Sequence, residues 1–270
     1  MNVLIKDITT KTLGKTMDNK KDFWNAKYYK NNSQGQYQKG ISTIEKIELS
    51  GNESVLDIGC GDGRITAEIA KQVPNGYVLG VDVSKNMIEE AIKSFASIKN
   101  LEFQLTDAAK FSTEKKFDLA VSFSAFHWIK DQVSTLKNIY NFLNNGGKLI
   151  IQMVAKHKSP IREVYEQKKW KNILKDKENK FFHKYANEFS AMLNECGFRN
   201  IKVNLVVMPK KFANKEELFN WAYAWIPHST GLEEKMAIEF TNDVVEAVAN
   251  SSKNGKLYIE SHTLDIYAEK

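Results

Sequence analysis

Residues 54–64 read Ser-Val-Leu-Asp-Ile-Gly-Cys-Gly-Asp-Gly-Arg. The short apolar run Val55 to Ile58 predicts a buried strand, which stops at Gly59, Gly61 and Gly63. An amphipathic segment, Ile65-Thr-Ala-Glu-Ile-Ala, begins at once and predicts a helix. Strand, glycine turn and helix in that order bring a bare backbone up to a ligand at the carboxyl end of a parallel sheet. A Cβ there would block the approach or forbid the backbone angles. Turns that seat a pyrophosphate on a helix N-terminus run G-x-G-x-x-G. Here the spacing is G-x-G-x-G with an acid on either side, Asp57 and Asp62. An acidic rim repels a pyrophosphate and suits a ligand with a cationic end.

Working outward, Tyr77-Val-Leu-Gly-Val-Asp82 predicts a second strand ending in an acid. That acid lies about 20 residues past the glycines, where a carboxylate can hold a ribose diol. Ser84 can cap the helix that follows. Leu101 to Leu105 predicts a third strand, followed by Asp107; Phe117 to Phe123 predicts a fourth and Gly147 to Val154 a fifth. A helix from Gln132 to Leu143 and the pair Gly146-Gly147 precede the fifth strand. This alternation is the signature of a parallel sheet with helices on both faces. Further on, a lysine-rich helical piece spans 160–180, and a helix from Lys184 to Cys196 stops at Gly197. Phe198 to Met208 predicts a strand, 211–250 is helical, and 256–268 predicts a last strand. Near the N-terminus, Phe23, Trp24, Tyr28, Ile41, Ile44 and Ile47 have helical spacing, broken by the polar stretch Asn31 to Lys39. Trp24 and Tyr28, four apart on a helix, would pack down on the core. Residues 1–20 are polar and without periodicity, and are expected to form a mobile arm. Gly14-Lys-Thr16 lacks the earlier glycine of a phosphate loop and is set aside.

The run LDIGCGDG resembles motif I of the class I S-adenosylmethionine (SAM) dependent methyltransferases, and Asp82 and Asp107 follow in order and at matching distances. Gly146-Gly147 is similar to that family's turn before strand five, with Asn145 where proline is usual. The resemblance implies an α/β fold: a Rossmann-like, doubly wound, seven-stranded sheet with its last strand antiparallel, under a helical lid. The implied organisation is an arm (1–20), N-terminal lid helices (21–48), a SAM-binding core (49–155), a lid insert (156–183), a core helix and strand (184–210), a second lid insert (211–253) and the final strand (254–270). It implies SAM as cofactor, with no metal. Cofactor contacts would come from Tyr29, Asp57, Gly59, Cys60, Gly61, Asp82, Val83, Met87, Asp107, Ala108 and Ser124. In that family the acid at the Asp82 position binds both ribose hydroxyls, Met87 matches an adenine-packing position, and the Asp107 carboxylate and Ala108 amide meet the adenine. Tyr29 could donate to the SAM carboxylate, and Arg64, a surface or helix-start residue, could pair with it.

After strand four the chain reads Ser122-Phe-Ser-Ala-Phe-His-Trp-Ile-Lys-Asp131. This resembles a narrower group, the carboxyl methyltransferases of juvenile hormone acid and trans-aconitate. That group also carries a Tyr and, seven residues later, a Gln, as at Tyr29 and Gln36. The resemblance implies that Gln36 and Trp128 bind the acceptor carboxylate. A carboxylate is already ionised at neutral pH and needs no base; neutral amide and indole donors aim it without quenching it as a lysine would. His127 could act as a base for a hydroxyl or amine, or could simply pack. Trp128 could be a core aromatic, but its place at the ligand face of the sheet argues for the substrate. Trp221, Tyr223 and Trp225 lie in the lid, and their two-residue spacing is not one helical face; Trp221 and Trp225 are expected at the substrate pocket, with lid packing as the alternative.

The 270 residues carry a net charge of +6, with 42% hydrophobic and 27% charged residues, ordinary for a soluble globular chain. Lysines are spread among acids, so a solvated surface explains the charge better than nucleic acid. No apolar run approaches the roughly 18 residues of a membrane span, and no export signal is read at the N-terminus. Two cysteines, Cys60 and Cys196, give neither a disulfide framework nor a metal site. A cytoplasmic monomer or homodimer acting on a small-molecule acid is expected. The alternatives are methylation of a malonyl acyl carrier protein, docked through Lys156, Lys158 and Arg162; another small molecule; and, least favoured, a nucleic acid or a silent SAM-binding module. No Asn/Asp-Pro-Pro-Tyr motif follows strand four, which disfavours base methylation.

Overall fold

The computed structural model describes residues 21–177, 181–252 and 256–270. The expected arm, and the Gly14-Lys-Thr16 triplet within it, lie outside the described residues.

Seven strands form one sheet: β1 (Ser54–Ile58), β2 (Tyr77–Asp82), β3 (Leu101–Leu105), β4 (Phe117–Phe123), β5 (Leu143–Val154), β6 (Arg199–Lys211) and β7 (Tyr258–Glu269). Their order is β3-β2-β1-β4-β5-β7-β6. The first five pair in parallel, while β7 runs antiparallel to β5 and β6. The order therefore reverses between β1 and β4, and ligands of such sheets bind outside the carboxyl ends of the strands at that reversal. β1 is buried from Val55 to Ile58 and β4 from Leu119 to Phe123, as strands covered on both faces require.

On one face α3 (Arg64–Gln72) and α4 (Lys85–Phe95) follow β1 and β2. Ala67, Ile69 and Ala70 close on Val55, Val78 and Val121, joined by Ile44 from the N-terminal segment. α4 is capped by Ser84, whose hydroxyl accepts from the Met87 amide. On the other face α5 (Gln132–Phe142) and α8 (Ala186–Glu195) bury Leu136, Ile139, Phe189 and Leu193 on Leu56, Ile58, Leu149 and Ile151. Gly197 ends α8 as expected, with the Phe198 amide bonded back to the Leu193 carbonyl.

Two further blocks stand over the carboxyl ends. The N-terminal block is α1 (Ala26–Asn32) and α2 (Gln34–Ile44), broken only at Ser33. The polar stretch Asn31 to Lys39 is thus helical for most of its length, against expectation, and Trp24 precedes α1 instead of lying on it. The second block is built from α6 (Pro160–Glu166), α7 (Lys168–Leu174), α9 (Lys215–Tyr223), α10 (Ile226–Thr230) and α11 (Glu234–Ser251). It has its own apolar interior, centred on Val164, Trp170, Ile226, Phe240 and Val244. The blocks touch where the Tyr28 hydroxyl donates to Asn220 (2.9 Å) and its ring meets Tyr223 edge-on. β5 begins at Leu143, so Gly146-Gly147 sits in an irregular stretch at its start and the pairing with β4 slips there. No described helix is long and apolar enough to cross a membrane.

Candidate active site

The turn after β1 shows why glycines stand where they do. A Cβ on Gly59 would lie 2.3 Å from the Cβ of Ala125, so this residue lets the loop after β4 close on the turn. A Cβ on Gly63 would strike Phe103 at 2.6 Å. Gly61 differs: φ is +55° and nothing stands within 4 Å of where its Cβ would be. Its bare face is open. The turn also uses its own amides. Gly59 and Cys60 donate to the Val81 carbonyl (2.8 and 3.0 Å), Gly63 to the Cys60 carbonyl, and Gly61 to the Asp82 carboxylate at 2.9 Å. The expected bare amides are therefore engaged. The Gly59 carbonyl accepts nothing among the described residues. Carbonyl oxygen flanked by Asp57, Asp62 and Asp82 suits a cationic ligand and opposes a phosphate. The Cys60 thiol lies against Gly80, buried, and burial holds it well above its usual pKa, so it fills space and is no nucleophile.

Asp82 ends β2 with Oδ2 on the Gly61 amide and Oδ1 on the Ser84 amide (2.8 Å). Burial raises its pKa, those two donors oppose the rise, and the nearby Asp22 adds to it. Val83, next along, is 56% exposed, whereas Met87 is only 3% exposed. Asp107 Oδ1 accepts from the Ala109 amide, and both Asp107 and Ala108 are half-buried beside β3. Ser124 takes a left-handed φ of +55° directly after β4, a conformation that costs energy in a non-glycine residue and collects at functional sites.

Asp57 is buried beneath the turn with Oδ2 on the Thr66 hydroxyl (2.7 Å). Burial pushes its carboxyl up to about 7, the Thr66 bond opposing and the Asp82 charge adding. Between the unfolded carboxyl value near 4 and about 7 the folded chain holds a proton that the unfolded chain has released, so Asp57 weakens the fold progressively as pH rises through that window. Asp57→Asn is expected to gain melting temperature relative to the native chain from about pH 4 to about pH 7, with a constant difference above. Parallel thermal melts across that range check it; a difference independent of pH would remove the assignment.

Arg64 joins the turn to the N-terminal block. Its Nε donates to Asp62 (2.8 Å), another nitrogen donates to Ser33 Oγ (2.8 Å), and the guanidinium lies over Tyr37. It opens α3, as a helix-start residue was expected to, and is a part-buried tie instead of a free surface residue. Tyr29, one turn before Ser33, is pushed up to about 12 by burial and by Asp62, so its hydroxyl stays a neutral donor. Ser33, Gln36, Gly40 and Ile44 form the inward stripe of α2, and Gly40 packs on Ile65 and Phe123, at the end of β4. Gln34 and Gln38 are exposed, whereas the Gln36 side-chain oxygen is buried with no partner among the described residues. Oxygen and nitrogen of an amide exchange by a half-turn of its last torsion, so the orphaned position can accept or donate.

Across the cleft, residues 126–128 form a single 3-10 turn. Trp128 meets Trp24 (5.8 Å), His228 (5.2 Å), Phe181 (5.1 Å) and His127 (4.8 Å) between ring centres. Trp24 stacks on His228 at 4.6 Å and touches Tyr29. The Trp128 indole N–H donates to no described residue. His127 is buried, and burial holds its imidazole down at about 3, so it is neutral. The Val154 amide donates to its Nδ1 at 3.4 Å, which places the ring proton on Nε2. His127 thus offers a hydrogen-bond donor and not a proton acceptor. Trp225 meets Phe181 at the margin of this cluster, while Trp221 lies between Phe212 and Trp225, further into the lid.

A family model described as a methyltransferase domain matches residues 49–217, more than half of the chain. The chain is a class I SAM-dependent methyltransferase. This methyltransferase is 29% identical over 164 residues to the juvenile hormone acid O-methyltransferase of Drosophila melanogaster, covering 55% of this chain and 54% of that one. It is 21% identical over 255 residues to the trans-aconitate 2-methyltransferase of Shigella flexneri serotype 5b (strain 8401), covering 92% of this chain and 98% of the relative. Among solved structures, the YcgJ protein of Bacillus subtilis aligns with a TM-score of 0.63 at 17% identity, over 87% of this chain and 98% of that one, a likeness of fold.

Several site residues escaped the sequence. Asp22 accepts from the Ser84 hydroxyl (2.8 Å) and the Asn86 amide (3.1 Å), binding the start of the described chain to α4. Phe181, His183 and His228 join Trp128 only through tertiary packing. The sole signal was the clustering of three of the five histidines, His157, His183 and His228, in the lid segments.

Proposed function

We propose that this methyltransferase places the methyl group on a carboxylate oxygen of a small or lipid-like organic acid. The observation that carries the reading is a set of unpartnered neutral donors together with a His127 that is neutral and presents an N–H. Among the described residues the Gln36 amide is orphaned on the inward side of α2 and the Trp128 indole N–H is unengaged, and His127, in contact with Trp128, is a neutral donor. A hydroxyl or an ammonium acceptor must lose a proton, and His127 is not set to take it. A carboxylate needs only aim and dehydration. SAM, when bound, supplies a methyl on a sulfonium, and the C–S electron pair stays on sulfur as the acceptor oxygen takes the carbon.

The residues proposed to hold SAM are Gly59 and Gly61 by their backbone, Asp82 at the ribose, Val83, Met87, Asp107 and Ala108 around the adenine, and Tyr29, Asp57, Cys60 and Ser124 about the remainder. Trp24, Trp128, Phe181 and Trp225 provide apolar surface and shut out water; Trp221 supports them from within the lid.

Trp128→Phe and Gln36→Ala are each expected to lower kcat/KM on the acid by about 10- to 100-fold, the value of one hydrogen bond to a charged group. SAM affinity should change less than about twofold. Transfer of radiolabel from SAM to fatty, terpenoid and tricarboxylic acids and to malonyl carrier protein identifies the acceptor; full activity of both variants would displace the carboxylate from this position.

A further inference from the structure

Behind Trp128 lies a second group of donors. Arg162, in the first turn of α6, donates to His183 Nδ1 at 2.7 Å. That bond fixes the ring proton on Nε2, and Nε2 is buried with no partner among the described residues. The other guanidinium N–H groups donate to no described residue, and no described carboxylate pairs with Arg162; Glu166, one turn along, pairs with Lys171 at 2.8 Å. The His183 ring lies 5.3 Å from His127 and 5.0 Å from Phe181, and Phe181 lies 5.1 Å from Trp128. Burial, and then the neighbouring His127, Arg162 and His157, keep the His183 imidazole neutral. The result is a half-buried cation and an orphaned donor, one ring beyond the donor on Trp128, with no described anion to balance them.

Resting on the carboxylate reading above, we propose that the acceptor carries two anionic groups: a carboxylate methylated at Gln36 and Trp128, and a distal carboxylate or phosphate that accepts from His183 Nε2–H in the field of Arg162. Arg162 acts through His183 as a positioning residue. It holds the tautomer that presents a donor, and its charge offsets the desolvation of the distal anion. A buried donor without an acceptor is costly and marks a place where a ligand supplies one. Arginine suits this use because it remains charged when partly buried and its planar fork holds the imidazole in a fixed plane.

The test uses the full chain loaded with S-adenosylhomocysteine and calorimetry with the dicarboxylates from succinate to adipate, their monomethyl esters, and 4-phosphonobutyrate. At least one diacid or the phosphonate is expected to bind about tenfold or more tighter than the monoester of matching length. The stronger of the two arms identifies the distal group. Arg162→Gln and His183→Phe should each erase that preference, lowering diacid or phosphonate affinity about tenfold more than monoester affinity, and His183→Asn, which restores an N–H, should recover part of it. Equal affinities for diacid and monoester in the native protein overturn the proposal without any substitution, as does a preference that survives both variants. The two readings fail separately. Base-labile methyl esters formed on monoacids, with no preference for diacids, remove only the second anion site. Diacid preference lost in Arg162→Gln, with the label carried on no ester, removes only the carboxylate acceptor.

Discussion

Asp82→Ala is expected to weaken SAM binding by at least about two orders of magnitude. The carboxylate stands at the end of β2 with one oxygen on the Gly61 amide and the other on the Ser84 amide. Those bonds fix its plane over the turn and leave its remaining lone pairs for a vicinal diol. A hydrogen bond to a charged group contributes about 1.5–3 kcal/mol, so losing two removes about 3–6 kcal/mol, or 10²- to 10⁴-fold in affinity. The Gly61 amide also loses its acceptor, which loosens the backbone that faces the ligand. Calorimetry with SAM reads the affinity, and circular dichroism confirms that the sheet persists. Affinity within about threefold of the native value would remove the ribose assignment.

Gly59→Ala and Gly61→Ala, two residues apart, are expected to fail in different ways. At Gly59 the new methyl would lie 2.3 Å from Ala125, and φ is +75°. Overpacking against a neighbouring loop and a left-handed backbone together cost about 3 kcal/mol or more, a fall of about 6–12 °C in Tm for a chain of this size. At Gly61 the methyl meets no protein atom, and only the backbone angle is penalised, by about 1–2 kcal/mol. The cost there appears in binding, because the methyl stands in the open space over the turn. Gly61→Ala should therefore lose only about 2–8 °C in melting temperature and lose SAM affinity. Normal SAM binding by Gly61→Ala would show that this face is not the cradle.

The core of the fold was legible because each of β1, β2 and β4 is an apolar run closed by a chemically distinctive residue, and the periodicity of α3, α4 and α5 is that of helices with one face on a sheet. Asp82, Asp107 and the glycine triad were readable for the same reason: they are spaced along the chain as they are along the sheet edge. The N-terminal block was harder. α2 reads as an interruption in the sequence because its inward side is the N-cap Ser33 followed by Gln36, Gly40 and Ile44, of which only the last is strongly apolar. A helix that lines a polar cleft loses the hydrophobic rhythm by which helices are recognised. Trp24 was placed on a helix because four-residue spacing is also met by a residue that stacks sideways, as it does on His228. Arg64 reads as a surface or helix-start residue; it does open α3, and its further ties are not legible because Ser33 and Tyr37 lie about 30 positions away. The Arg162–His183 contact joins two segments of the lid, and no local pattern announces it.

The helices above the sheet are held by an apolar interior of their own, with Trp170 and Phe240 at its centre and the Trp170 indole bonded to Asp243 at 2.7 Å. Selection on the residues that greet an incoming molecule therefore draws on a reserve of stability separate from the one that holds the nucleoside. Lineages carrying this architecture are free to exchange one diet for another while the glycine turn stays as it is, and grafting α6, α7 and α9–α11 from a relative should transplant a preference without rebuilding the engine beneath.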